Sequence, residues 1–346
     1  VRRAGRDLRI TAHLIDATSD AEIWSDKYAG TMDDVFEIQE RVAIGITDGL
    51  RITFARESTL PSARPIADAR AYDLYLRARG EIWSFTEAGP SRAIVLIDQA
   101  LGVVGPNAVL LAARATALWQ LVNVGASPIP RLIEAALTAQ QALALDPSSS
   151  PALRVLALIT AMRGETKAAD DLISRALAAA PADPETLTTA CFFYTLVGDG
   201  ERAAALGRRA TEVDPLYALH WTGLGFAYAS LGRHDEAAAA ARHAFDVDPH
   251  DLPTQAIAPL VLYGRGDLER LVPRPDAAPS GGASAGGYAG LARLTRAALS
   301  GDHARVTGLV TPDVERLLGA GLHNALDAAE IYTLVGDHPR ALGFLK

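Results

Sequence analysis

The sequence predicts a mainly α-helical solenoid, in which helix pairs stack one on the next, preceded by a small truncated α/β segment. Three observations carry that prediction. The first is periodic punctuation: Pro147, Pro181, Pro215 and Pro249 fall at one constant interval, and Gly164, Gly198, Gly232 and Gly266 repeat at the same interval. Self-similarity of this kind marks stacked supersecondary units. The second is composition: 66 of the 346 residues are alanine while aromatics make up 6%. Small side chains at that density suit helices that approach closely. The third is hydrophobic period, which alternates only near the N-terminus and is helical afterwards.

Leu8–Ala17 alternates, with Leu8, Ile10, Ala12 and Leu14 on one face, and reads as a strand. Asp16–Asp20 is turn-like, and Ala21–Tyr28 reads as a second, antiparallel strand with Ile23 and Trp24 as its apolar content. From Thr31 the period changes. Asp33 and Asp34 place carboxylates where a helix dipole is positive, and Val35, Ile38, Val42 and Ile46 recur at helical spacing up to about Phe54. Two strands and a helix are too little for an independent core, so residues 1–55 are expected to be part of a larger α/β domain. Val1 at the start and an uncapped helix after Pro339 lead to the expectation that both ends are cuts. Residues 56–70, with Pro61 and Pro65 and no periodicity, read as a linker.

Residues 71–272 read as the repeat array. Each repeating proline closes a similar phrase: ALALDP before Pro147, ALAAAP before Pro181, ATEVDP before Pro215 and AFDVDP before Pro249. The clearest unit, Ala218–Pro249, carries Trp221, Leu224, Gly225 and Tyr228 in a first helix (A), Gly232 at the turn, and Ala237 and Ala244 in a second helix (B). Helix A offers a small residue at Ala157, Cys191 and Gly225, and helix B answers with Ala169, Ala203 and Ala237. Glycine supplies the turn and proline stops helix B. Weaker pairs precede these units: Ala71–Pro106, then Asn107–Pro147 stretched by an insertion at Val124–Pro130. Leu252–Val272 is a degraded unit, with Pro253 and Pro259 in its first helix. Residues 273–287 are a Gly/Pro-rich linker, and residues 288–346 are expected to form truncated C-terminal helices of the same type, with Gly336 at a turn.

The phrase set of Ala218–Pro249 resembles the tetratricopeptide (TPR) repeat, which implies a right-handed α-solenoid. The stretch from Val1 to Ala43 resembles the end of a TolB-N-terminal-like (FlgO-like) domain, and AYDLYLRARG from Ala71 resembles the opening of the arrays that follow such domains. The pairing implies the regulatory region of a bacterial adenylate/guanylate cyclase-type protein or of a winged-helix transcriptional regulator. A cyclase or winged-helix domain then lies N-terminal to the present residues. A cytoplasmic location and no enzyme activity in this segment are expected.

The TPR resemblance places four helix-A positions on the inner surface. They include Arg154, Thr188, Thr222 and Ala256; Leu158, Phe192, Phe226 and Leu260; and Ala161, Thr195, Ala229 and Tyr263. An apolar stripe edged by threonines suits a peptide or protein partner with hydrophobic anchors, and self-association is the other use of such a face. The sequence also allows these side chains to pack on neighbouring repeats or on the chain's own C-terminal section. No Asn/Lys/Arg set for clamping a terminal carboxylate is present.

Other candidates read as structure. Cys191 falls at a packing position with no base beside it, and reads as filler. His220, His234, His243 and His250 lack metal-ligand spacing and read as surface residues. Gly281, Gly282, Gly286 and Gly287 lack the lysine of a phosphate loop. Arg2, Arg3, Arg6 and Arg9 read as a solvated hairpin edge. The net charge of −8 argues against a chain-wide nucleic-acid surface. One cysteine excludes an internal disulfide framework. No run of about 18 apolar residues marks a transmembrane helix. No cofactor or metal is expected.

Overall fold

Why does the N-terminal alternation become a sheet? In the computed structural model, which describes residues 2–4, 7–15, 22–31, 34, 37–39, 41–42, 66–262, 287–319 and 322–344, the alternating stretches pair as expected. Strand β1 (Arg2–Ala4) lies beside β2 (Asp7–Ile15), and β2 beside β3 (Glu22–Thr31), all antiparallel. Ile10 stands opposite Tyr28 and Leu8 opposite Gly30, so Leu8 and Tyr28 share a face, and both are buried. Ile38 covers that face: a Cβ on Gly30 would stand 2.8 Å from its Cδ1. Asp34 Oδ2 accepts from the Thr31 amide and hydroxyl, each at 2.8 Å. Those bonds hold its carboxyl below the usual range. Val35 and Ile46 lie outside the described residues.

The chain divides into two compact units, residues 1–76 with 99–107, and residues 77–98 with 108–346. The first contains the sheet. Helices α1 (Ala69–Ile82) and α2 (Gly89–Val104) run through both, so helix begins two residues before the expected array start.

The second unit is the array. Its helices are α3 (Ala108–Asn123), α4 (Leu132–Leu145), α5 (Ser150–Met162), α6 (Thr166–Ala179), α7 (Pro184–Leu196), α8 (Gly200–Val213), α9 (Ala218–Ser230), α10 (His234–Val247) and α11 (Leu252–Leu262). Helices α3, α5, α7 and α9 each pack on the B helix that follows and on the next A helix, so that with α11 they form one layer. This is the tetratricopeptide arrangement, and the fold is mainly α as expected.

The punctuation acts through backbone geometry. Gly164, Gly198 and Gly232 have φ of +77°, +86° and +71°, left-handed values that a Cβ resists. Gly266 lies outside the described residues. Asp146, Asp214 and Asp248 end their helices at φ −138°, −135° and −149°. Each precedes one of the repeating prolines (Pro147, Pro215, Pro249), whose ring pushes the preceding residue out of the helical region. Trp221 ties one junction by donating its Nε1 to the Pro215 carbonyl at 2.9 Å, and Gln255 repeats the bond to Pro249 at 2.8 Å. Tyr228 is buried, and Arg233 lies over its ring, 4.6 Å from the centroid.

The C-terminal helices α12 (Gly287–Leu299), α13 (His303–Leu309), α14 (Pro312–Leu318), α15 (Leu322–Leu334) and α16 (His338–Phe344) do more than extend the stack. Helix α12 packs on α11. The chain then returns to the end of α3: Arg316 Nε donates to the Gly125 carbonyl at 3.2 Å, and Asn324 Nδ2 to the Asn123 carbonyl at 3.3 Å. One apolar cluster joins Phe85 and Val124 to Ala256, Leu260, Tyr288, Leu291 and Leu317. Residues 273–286 of the expected linker lie outside the described residues, and Gly287 already belongs to α12. No described helix is long and apolar enough to cross a membrane.

Candidate functional site

The A-helix layer bounds a cavity of about 120 Å³. Its apolar wall is Trp83, Phe85, Trp119, Val155, Leu158, Met162, Phe192, Phe193, Ile257 and Tyr288; its polar part is Arg154, Glu185, Thr188, Thr189, Tyr217 and His220. Local structure explains the mixture. Helix positions three and four apart share a face, so Arg154 and Leu158 of α5 point the same way, as do Thr188 and Phe192 of α7. Phe85 sits at φ +49°, the one non-glycine residue with positive φ among the described residues, and packs edge-on against Tyr288 with ring centroids 5.3 Å apart.

Charge enters through one ion pair. Arg154 Nη2 lies 2.8 Å from Glu185 Oε2, and Arg79 Nη2 lies 2.7 Å from the other oxygen. Burial alone would raise the Glu185 carboxyl; the two guanidinium groups outweigh it and the net shift is downward. Arg154 is 4% exposed, so removing Glu185 would strand a buried cation at a cost of about 3–5 kcal/mol.

The structure brings Arg154, Leu158, Thr188 and Phe192 together on this cavity, with Ala161 beside them. Phe226 is half-buried next to them, its ring 6.3 Å from that of Phe192. Thr195 turns back to its own helix and donates to the Cys191 carbonyl at 2.9 Å. Thr222 enters the contact between α9 and α11, 2.9 Å from Thr254 Oγ1. Ala256 and Leu260 belong to the apolar cluster shared with the C-terminal helices. Tyr263 lies outside the described residues.

One expectation is overturned. His220 is not a surface residue but 2% exposed, with Nδ1 2.7 Å from Thr188 Oγ1; burial lowers its pKa, so it stands neutral. His234, His243 and His250 are exposed. Cys191 is buried, and burial pushes its thiol up to about 12, a packing residue without nucleophilic character. Among the described residues no group of three or more His, Cys, Asp or Glu has metal-holding geometry.

Sequence reasoning missed Trp83, Trp119, Glu185, Tyr217 and Tyr288. For His220 a signal existed: the equivalent positions one repeat earlier and later are Thr186 and Thr254, small hydroxyl residues that are both fully buried. The register already placed His220 inside.

No family model matches the chain. It is 32% identical over 162 residues, 46% of its length, to a putative adenylate cyclase 3 of Rhizobium meliloti (strain 1021), and covers 27% of that relative. Solved structures similar to it include a thermophilic TPR protein of Thermus thermophilus, with 19% identity, 56% of this chain and 98% of that one covered, and a TM-score of 0.45. A tetratricopeptide repeat protein of Parabacteroides merdae ATCC 43184 shows 14% identity, 80% and 91% coverage, and a TM-score of 0.39.

Proposed function

We propose that this chain is a non-catalytic, regulatory protein–protein interaction region of a bacterial signalling protein of the adenylate/guanylate cyclase type, working in the cytoplasm. The observation that carries the binding part is the A-helix layer, where Leu158, Phe192 and Phe226 stay partly exposed beside an aromatic-walled cavity. Half-buried aromatics at the edge of a preformed apolar hollow are the usual anchors for a partner's hydrophobic side chains. The similarity to a putative adenylate cyclase supports the choice of parent. In this reading nucleotide chemistry belongs to another domain of the parent protein, and the N-terminal sheet belongs to a TolB-N-terminal-like domain.

The test is capture of partners on the immobilised chain, compared with a variant carrying Phe192→Asp and Phe226→Asp. The double variant is expected to lose capture while its helical circular dichroism is kept. Capture that survives in the folded variant removes the A-helix face from the reading. Turnover of ATP or GTP by the chain itself contradicts its non-catalytic assignment.

A further inference from the structure

Tyr217 and His220 break the pattern of their neighbours. In the repeats just before and just after, the matching positions are Asp183 with Thr186 and Asp251 with Thr254. In both, the aspartate caps its helix: Oδ2 accepts from the threonine amide, at 2.8 Å and 2.9 Å, and from the threonine hydroxyl as well. Helix α9 has Tyr217 at that position and no side-chain cap. A structural pair given up in one repeat points to a function at that place. Both replacements line the cavity described above, and their rings meet edge-on with centroids 4.9 Å apart. Each also carries a buried polar atom without a hydrogen-bond partner, Tyr217 Oη and His220 Nε2. Such atoms are rare enough to ask for an explanation.

The charge at this end is negative. Burial first, then the carboxylates of Asp251, Glu185 and Asp214, hold the Tyr217 hydroxyl well above its ordinary range. Those of Asp214, Glu185 and Asp183 act on His220, against the burial that keeps it neutral. Arg154 is the one cationic residue of the described lining, and it is bound to Glu185. Arg79 holds the same carboxylate and has a further interaction of its own. Carboxylates therefore outnumber guanidinium groups here, four to two. The rest of the lining is apolar and rich in rings: seven of its residues are aromatic, in a chain that is 6% aromatic. Ring faces attract cations. The space is close to that of a hollow of about 150 Å³ that holds benzene.

We propose that the cavity is a binding site for a small organic amine in its protonated form, with an aromatic or branched aliphatic body no larger than a benzene ring. The ammonium lies at the Tyr217 end, donates to the Tyr217 oxygen and balances the surplus of carboxylates. The body fills the space between Leu158, Phe192, Trp119 and Tyr288. The Tyr217 oxygen is covered by its neighbours, so it meets the ammonium by rotation of a side chain whose residue is partly exposed. This goes beyond the protein-partner reading and does not depend on it, since it asks only for the cavity and its charge.

Titration of the full chain at neutral pH with benzylamine, toluene and benzoate tests the proposal. The readout is tryptophan fluorescence, because two of the four tryptophans, Trp83 and Trp119, line the cavity. Benzylamine is expected to saturate the signal and to bind at least tenfold more tightly than toluene or benzoate. Tyr217→Phe deletes an unpartnered hydroxyl, so it folds as well as the parent, yet it weakens benzylamine at least threefold and leaves toluene unchanged. Asp214→Asn keeps an acceptor for the Leu216 amide and removes one negative charge, with the same expected pattern. Leu158→Trp fills the space and abolishes the signal, with circular dichroism reporting that it folds. The proposal is overturned if benzylamine does not saturate the signal, or if toluene or benzoate matches it. It is equally overturned if Tyr217→Phe or Asp214→Asn binds benzylamine as the parent does, or if folded Leu158→Trp still binds it.

Discussion

Asp327 shows what burial without a partner does to one side chain. It is 2% exposed, its Oδ2 has no hydrogen-bond partner, and burial first, then the nearby Glu330, push its carboxyl well above the usual range. In the unfolded chain the same group ionises at its ordinary value of about 3.9. A carboxyl raised in the folded state destabilises the fold at neutral pH, and stability returns as pH falls through the folded value toward the unfolded one. Asp327→Asn is therefore expected to raise the melting temperature at pH 7.5, a stabilisation of about 1–3 kcal/mol. The gain should shrink as the measurement moves toward pH 4; an unchanged melting temperature at pH 7.5 contradicts it. Nothing in the sequence singled out Asp327, because burial by tertiary packing leaves no local pattern. Arg154 was legible as an inner-face residue from the repeat register, but its partner Glu185 was not, since an ion pair between adjacent repeats leaves no periodic trace.

At the scale of the helix pair the sequence was most informative. Turn glycines need positive φ and prolines reshape the residue before them, so both effects are local and can be read without a structure. Gly225 adds a contact between helices. A Cβ there would stand 3.2 Å from the Ala237 carbonyl oxygen and 3.5 Å from the Ala241 amide nitrogen, backbone atoms that cannot swing aside as a side chain does. Gly225→Leu is expected to separate α9 from α10 and cost about 1–3 kcal/mol, seen as a lower midpoint in urea with helical content preserved. A midpoint equal to that of the parent would mean that the pair has room the register denies it. Helix α11 is the element where local reading and packing diverge. Its interior Pro259 reads as a helix breaker, yet α11 runs from Leu252 to Leu262, with Ala256, Ile257, Ala258 and Leu260 buried against its neighbours. Tertiary burial there outweighs the missing backbone donor.

For the second unit as a whole, the return of the C-terminal helices to the end of α3 matters most. The sequence signalled a Gly/Pro-rich break at residues 273–287 and helices after it, but not where those helices would dock, because docking depends on surfaces built by distant repeats. Gly125 lies at that closure. It has φ +75°, and a Cβ would meet the Asp313 carbonyl oxygen, the Leu317 amide nitrogen and the Leu317 Cβ, each at 3.1 Å. Gly125→Val is expected to loosen the closure, so that amide hydrogens of residues 287–319 exchange faster while those of residues 150–247 keep their protection. Uniform protection across both segments would show that the closure tolerates the added side chain. The Arg316–Gly125 and Asn324–Asn123 bonds join residues 191 and 201 apart in the chain, whereas the main helix-on-helix packing of the stack links neighbouring repeats. Local contacts form early because little chain entropy is lost in making them. Joining ends so distant in sequence costs about 1–2 kcal/mol more loop entropy than a contact between neighbouring repeats while the intervening chain is still loose. The helix pairs between must already be ordered to bring those ends near each other, which makes the closure the last step of folding and the first to be lost on unfolding.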